Sequence, residues 1–185
     1  MNKKNQRVCP VEWAGFLDNP FRKLLQNPGK ILHPYLQQGM TVLDVGCGPG
    51  FFSIPAAEML GASGQVIAAD LQEGMLRKLH AKIQGTELEE RIRLHTCRKD
   101  KIGVSEHADF ALLFYIVHEL PDQNAFFDEI RTILKPKGQV LMAEPFFHVA
   151  RSAFEKTVRI AEKSGFADIG RPKIFFSNAV LLKKK

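Results

Sequence analysis

From Gln37 onward, compact apolar runs alternate with segments whose apolar residues recur every three or four positions. The first pattern reads as buried strands and the second as amphipathic helices. Thr41–Val45 reads as a strand, and Phe51–Leu60 as a helix stopped by Gly61. Gln65–Asp70 gives a second strand, and Met75, Leu76, Leu79 and Ile83 mark a helix over Gly74–Gln84. Arg91–Thr96 is the third strand and, after a polar connection, Asp109–Val117 the fourth. Asp122–Leu134 is a helix closed by Lys135-Pro-Lys-Gly138, and Gln139–Ala143 is the fifth strand. Arg151–Ser164 is a helix stopped by Gly165, and the tail reads as two strands around Lys173–Phe176 and Ala179–Leu182. This alternation predicts an α/β fold, a parallel sheet with helices on both faces and right-handed crossovers.

Residues 1–36 stand outside the alternation and read as a helical arm ahead of one domain over 37–185. Trp13, Phe16, Leu17, Phe21, Leu24 and Leu25 form one apolar face. Asn19-Pro20 and Asn27-Pro28 each place a capping Asn before a Pro at the first helical position. Two roles stand open for the arm. It packs on the sheet edge, or it lies across a ligand cleft as a lid with Trp13 and Phe16 toward the substrate.

Composition narrows the classes. Hydrophobic residues at 45% and charged residues at 25% of 185 are those of a soluble globular domain. The longest apolar run, Phe110–Val117, is too short to span a membrane, and no apolar segment follows the basic start as in a secretory signal. No membrane partner is expected. Cys9, Cys47 and Cys97 show no CxxC spacing, which argues against a disulfide framework and a zinc site and makes a reducing, cytoplasmic setting the expectation. No metal is expected. The net charge of +6 gathers at the ends: Lys and Arg outnumber Asp and Glu six to two over 1–40 and nine to three over 151–185, against eleven to fifteen between. Basic ends attract RNA or an anionic surface in some proteins and are solvated tails in more.

In a sheet of this kind, ligands bind beyond the carboxyl ends of the strands, where strand order reverses. Asp44-Val-Gly-Cys-Gly-Pro-Gly50 places three glycines at alternate positions after a β-branched run, which lets a ligand approach the backbone closely. The spacing is G-x-G-x-G with Phe51 following, not the G-x-G-x-x-G of a nicotinamide site. Pro49 also removes an N–H that a pyrophosphate would use. Asp70 closes the next strand, where a carboxylate can accept from both hydroxyls of a ribose, and Leu71 offers an apolar surface to a purine. The plainer alternative makes Asp70 a cap for the helix behind it.

With these residues in order, the sequence resembles the class I S-adenosylmethionine-dependent methyltransferases. Val42–Gly50 is close to their first motif, and Asp70 matches their ribose-binding acid. Ala108–Phe114 resembles their fourth-strand motif and Leu134–Leu141 the lead into their fifth strand, so that the likeness covers about residues 37–145. The resemblance implies a Rossmann-like fold, a seven-stranded, mostly parallel sheet with its last strand antiparallel. It implies S-adenosyl-L-methionine as cofactor and S-adenosyl-L-homocysteine as product. Gly46, Cys47 and Gly48 would border the methionine moiety with Gly50 in the same turn, Asp44 would hold its ammonium directly or through water, and Phe114 would lie beside the cofactor. Many relatives have an acid facing the adenine amine where this chain has Cys97-Arg98. Either Asp100 substitutes, or backbone and apolar groups hold the adenine.

Methyl transfer from a sulfonium needs alignment, worth at best about 7–11 kcal/mol, more than it needs a nucleophilic side chain. A base is required only where the acceptor loses a proton. The acceptor would enter between Phe114–Glu119 and Glu144–His148. Tyr115 and His118 are the catalytic candidates, His118 as base or, alternatively, as a turn-shaping residue. His148 is open to the same two readings. Glu144 either holds a substrate amine or caps the turn after it. Phe146 and Phe147 suit an apolar or planar acceptor, or the core. Nucleic-acid amino-methyltransferases of this fold carry Asn/Asp-Pro-Pro-Tyr where this chain has Phe114-Tyr-Ile-Val. The expected function is methyl transfer to a small molecule. An RNA methyltransferase and a non-catalytic cofactor-binding module are the alternatives.

Overall fold

The computed structural model describes residues 25–185, so Trp13, Phe16 and the Asn19-Pro20 helix start lie outside the described residues. The Asn27-Pro28 start is present. It opens a short helix, α1 (Pro28–Leu32), where the Asn27 side chain accepts from the Lys30 N–H at 3.0 Å.

Seven strands and five further helices follow in chain order: β1 (Thr41–Val45), α2 (Ser53–Leu60), β2 (Gln65–Asp70), α3 (Glu73–Ile83), α4 (Leu88–Arg91), β3 (Ile92–Thr96), β4 (Ala108–Phe114), α5 (Gln123–Ile133), β5 (Leu134–Pro145), α6 (Arg151–Lys163), β6 (Phe166–Gly170) and β7 (Ser177–Lys184). They form one sheet in the order β3-β2-β1-β4-β5-β7-β6. β7 runs antiparallel to both neighbours and the other pairings are parallel. Strand order therefore reverses at β1, which has β2 on one side and β4 on the other. The crevice above β1 and β4 is where this architecture holds ligands.

Both faces of the sheet are covered, which is why the strands read as unbroken apolar runs. On one face Leu43, Val45, Ile67 and Leu113 pack with Phe127 and Ile130 of α5 and Phe154 and Val158 of α6. On the other, Val42, Val66, Phe110 and Leu112 pack with Ala56 and Leu60 of α2 and Leu76 and Leu79 of α3. Successive residues of β1 thus feed opposite cores, as the two-residue repeat of a strand requires.

Three expectations change. The strand expected around Lys173–Phe176 is a loop, and its place in the sheet is taken by Phe166–Gly170. Aromatic content made 173–176 look extended, but Phe176 sits at φ 57 and turns the chain into β7. β5 begins at Leu134, not Gln139, because Leu134 pairs with Ala108 across an irregularity that Lys137 (φ 65) accommodates. β4 ends at Phe114, three residues before Val117, because Tyr115 adopts φ 67. That break lies at the mouth of the crevice.

Candidate active site

The glycine turn closes with its backbone donors already used. The N–H groups of Gly46 and Cys47 both reach the Ala69 carbonyl, at 2.8 and 3.1 Å. That of Gly48 donates to Asp70 Oδ2 at 2.9 Å, and that of Gly50 to the Cys47 carbonyl at 3.1 Å. Pro49 has none. A phosphate cradle needs a row of free N–H groups, and this turn is instead a smooth, exposed approach at Gly46. Gly46 has φ 71, and a Cβ there would collide with Ile116 behind β4. The Ile116 side chain therefore packs directly on the Gly46 backbone, in space that only a glycine leaves open.

Two buried carboxylates line the turn. Asp44, 3% exposed, accepts a 2.6 Å hydrogen bond from Ser53 Oγ at the start of α2. Burial pushes its carboxyl up to about 7, with the Ser53 bond opposing and the charge of Asp70 adding. Asp70 accepts from Gly48 N–H and, at 2.8 Å, from Gln72 N–H. Burial raises its pKa, while the Gln72, Gly48 and Leu71 N–H groups pull it back. The sequence offered two roles for Asp70, and it does tie the backbone entering α3. Leu71 is half-buried beside it.

Beyond β3, Cys97 donates its N–H to the Asp70 carbonyl at 2.9 Å, and Arg98 pairs with Lys101 around a tight turn that leaves Arg98 and Asp100 exposed. Burial pushes the Cys97 thiol up to about 12, with Asp70 and Glu129 adding, and pushes that of Cys47 well above its usual value. Both thiols therefore remain neutral and line the site as small apolar groups. No cluster of three metal-ligating side chains occurs among the described residues.

At the ends of β4 and β5 the structure assembles a His–Glu pair. His118 Nδ1 lies 2.6 Å from Glu144 Oε2, while Glu144 Oε1 accepts the N–H groups of Val117 and His118 at 2.8 and 3.2 Å. Glu144 is 1% exposed. Both of its oxygens are engaged by the 117–118 turn and the His118 ring. Burial alone would lower the His118 pKa, but the hydrogen bond and charge of Glu144, with Glu119 adding, raise it. Glu119 beside it is pushed to about 7, chiefly by burial, with His118 lowering it and Glu144 and Asp70 raising it. The exposed His148 packs edge-on against His118, ring centroids 4.9 Å apart.

Tyr115 turns away from β4 into a second network. Its hydroxyl lies 2.7 Å from Ser177 Oγ and accepts from Gln26 Nε2, which also donates to the Phe175 carbonyl at 2.8 Å. Phe114 is buried against Phe52, at 4.4 Å between centroids. Phe146 and Phe147 are not core residues; they are 51% and 73% exposed on the outer rim.

A family model for a methyltransferase domain matches residues 36–167. The chain belongs to the class I S-adenosylmethionine-dependent methyltransferases. A solved S-adenosylmethionine-dependent methyltransferase from Aquifex aeolicus superposes with a TM-score of 0.86 at 25% identity, over 96% of this chain and 100% of that one. The ubiquinone biosynthesis O-methyltransferase of Dinoroseobacter shibae is 34% identical over 128 residues, 68% of this chain and 49% of its own length. The demethylmenaquinone methyltransferase of Oceanobacillus iheyensis is 29% identical over 109 residues, 59% and 46%. The chain spans about half the length of the curated relatives it matches.

The residues of this methyltransferase fit its cofactor class. A glycine that admits no Cβ stands beside two buried acids, Asp44 and Asp70, at the carboxyl ends of β1 and β2. Sequence reasoning missed Ser53, Gln26 and Ser177. Ser53, directly after Phe52 at the start of a helix, had a local signal as a partner for Asp44. Gln26 had none, since its partner Tyr115 is 89 residues away.

Proposed function

We propose that this methyltransferase moves the methyl group of S-adenosylmethionine onto a hydroxyl oxygen of a small aromatic or quinol-type acceptor, with His118 as general base. The His118–Glu144 pair is the observation that carries the reading. Methyl transfer to a neutral hydroxyl must shed a proton, and a carboxylate-held imidazole at the strand-four mouth is suited to take it. The relatives named for ubiquinone biosynthesis and demethylmenaquinone support an acceptor of that class.

The bound cofactor supplies an electrophilic methyl on a sulfonium. Asp44 would receive its ammonium, Asp70 its ribose hydroxyls, and Gly46, Cys47, Gly48 and Gly50 would border the methionine chain. Leu71, Cys97 and the Arg98 backbone would flank the adenine. Glu144 holds Nδ1 of His118, so Nε2 is the nitrogen left to act as base. His118 Nε2 would take the proton of the acceptor hydroxyl as its oxygen receives the methyl group, the sulfur leaving with the electron pair of the bond it gives up. The products are a methyl ether, S-adenosylhomocysteine and a proton. Tyr115 would fix the rim through Ser177 and Gln26, and His148 would border the acceptor. Gln26 is held against Tyr115 and Phe175, which adds to the same rim.

The test is transfer of labelled methyl to a panel of phenols, catechols and quinols, beside an RNA fraction. Transfer should rise with pH as His118 loses its proton, with the midpoint above the ordinary histidine value of about 6.5. His118→Gln should lower kcat by about 10²–10⁴-fold. Glu144→Gln should move the midpoint to lower pH without abolishing cofactor binding. A pH-independent wild type, or label found only in RNA, would overturn the reading.

A further inference from the structure

Four phenylalanines, Phe146, Phe147, Phe175 and Phe176, stand out among the exposed large apolar side chains, at 51%, 73%, 49% and 45% exposure. They form one cluster. Ring centroids lie 6.1 Å apart for Phe146–Phe147, 5.5 Å for Phe146–Phe176, 6.5 Å for Phe147–Phe176 and 4.1 Å for Phe175–Phe176. Two loops carry them, one after β5 and one before β7, tied by the Phe146 N–H to the Phe176 carbonyl at 3.2 Å. Contiguous apolar surface of this kind marks an interaction site.

The charge around the cluster selects the partner. The loops read Pro-Phe-Phe-His-Val-Ala-Arg over 145–151 and Arg-Pro-Lys-Ile-Phe-Phe-Ser-Asn over 171–178, with no carboxylate in either. Arg171 is held by Glu155 and Asp168 from outside the loops, while Arg151 and Lys173 are exposed. We propose that this aromatic wedge with its cationic rim docks the protein peripherally on an anionic lipid surface. Aromatic side chains settle at the headgroup boundary while Lys and Arg meet lipid phosphates. A second copy seated symmetrically would bring two cationic rims face to face, in a chain already at +6. That no described helix can cross a membrane bears on spanning and leaves docking open. The wedge shares its side of the molecule with the crevice mouth, because the Phe175 carbonyl and Ser177 join the Tyr115–Gln26 network. An acceptor dissolved in the bilayer would enter from the docked face.

Vesicle flotation of the full chain tests this without relying on methyl transfer. Vesicles of equimolar phosphatidylglycerol and phosphatidylcholine should carry the protein, and pure phosphatidylcholine should carry far less. Phe147→Ser should lower partitioning about tenfold or more, and Lys173→Glu should weaken it and flatten its salt dependence. Retained S-adenosylhomocysteine affinity establishes that each variant is folded. Flotation that survives Phe147→Ser unchanged would assign binding to the basic ends and overturn the wedge. No flotation at low salt would overturn the proposal, as would a concentration-dependent dimer that Phe147→Ser abolishes.

Discussion

Asp44 sits where its neutral form is favoured, and that sets a testable conflict between stability and binding. Its folded pKa, about 7, lies above the ordinary carboxylate value of about 3.9. The native state therefore binds more protons than the unfolded one between those limits, and stability falls as pH rises from about 4 to about 7. Asp44→Asn keeps an acceptor for Ser53 and removes the buried charge. We expect it to raise stability at neutral pH by on the order of 1–3 kcal/mol and to flatten this pH dependence in denaturant titrations. The same variant should lose cofactor affinity if Asp44 meets the ammonium; a variant less stable at pH 7 would sink the burial argument. Asp70 differs because three backbone N–H groups offset its burial. Asp70→Ala removes the proposed ribose contact and strips the Gly48 and Gln72 N–H groups of their acceptor. Calorimetry should show S-adenosylhomocysteine affinity weaker by about 1–3 kcal/mol, and unchanged affinity would reject the ribose assignment.

At the scale of elements, the crevice mouth is made by strands that stop abruptly. β4 ends because Tyr115 leaves the extended region, at φ 67, and its hydroxyl is anchored across the sheet on β7. The 117–118 turn that follows is fixed by Glu144 from β5, and α5 begins directly behind it. Asp122 caps α5, accepting the Asn124 and Ala125 N–H groups at 3.0 and 3.1 Å. Asp122→Ala should cost about 0.5–2 kcal/mol in chemical denaturation and leave cofactor affinity as it is, because the cap lies behind the turn. A loss of affinity would mean that α5 and the crevice are coupled more tightly than the contacts indicate.

At the scale of the whole molecule, the crevice belongs to the folded state, so its ligand should stabilise that state. At a hundredfold excess over Kd, S-adenosylhomocysteine should add about 2.7 kcal/mol. For a chain of 185 residues that raises Tm by about 5–10 °C. An unchanged Tm at saturating ligand would argue that the acids and the glycine turn do not form the cofactor site.

The sequence by itself determined the α/β alternation, because strands buried on both faces must be apolar throughout and the helices between them must carry one apolar stripe. It also made the glycine turn and Asp70 legible, because a glycine run and an acid directly after apolar strands are local patterns, although the bonds that close the turn come from Ala69 and Asp70 on the next strand. The helix starts at Asn27 and Asp122 were legible for the same reason, since a cap acts across one turn of chain. Only the tertiary structure decided the rest. Glu144 takes its role from His118, 26 residues away, and Tyr115 from Gln26 and Ser177, 89 and 62 residues away. Phe146 and Phe176 meet only after β5 and β7 have paired, so their joint exposure had no local signature. A strand read from Lys173-Ile-Phe-Phe176 failed likewise: local composition favoured extension, and the register that β7 needs against β5 turned the chain instead. Residues that act through nearby backbone can be read in sequence, whereas residues that act through a partner across the sheet require the sheet.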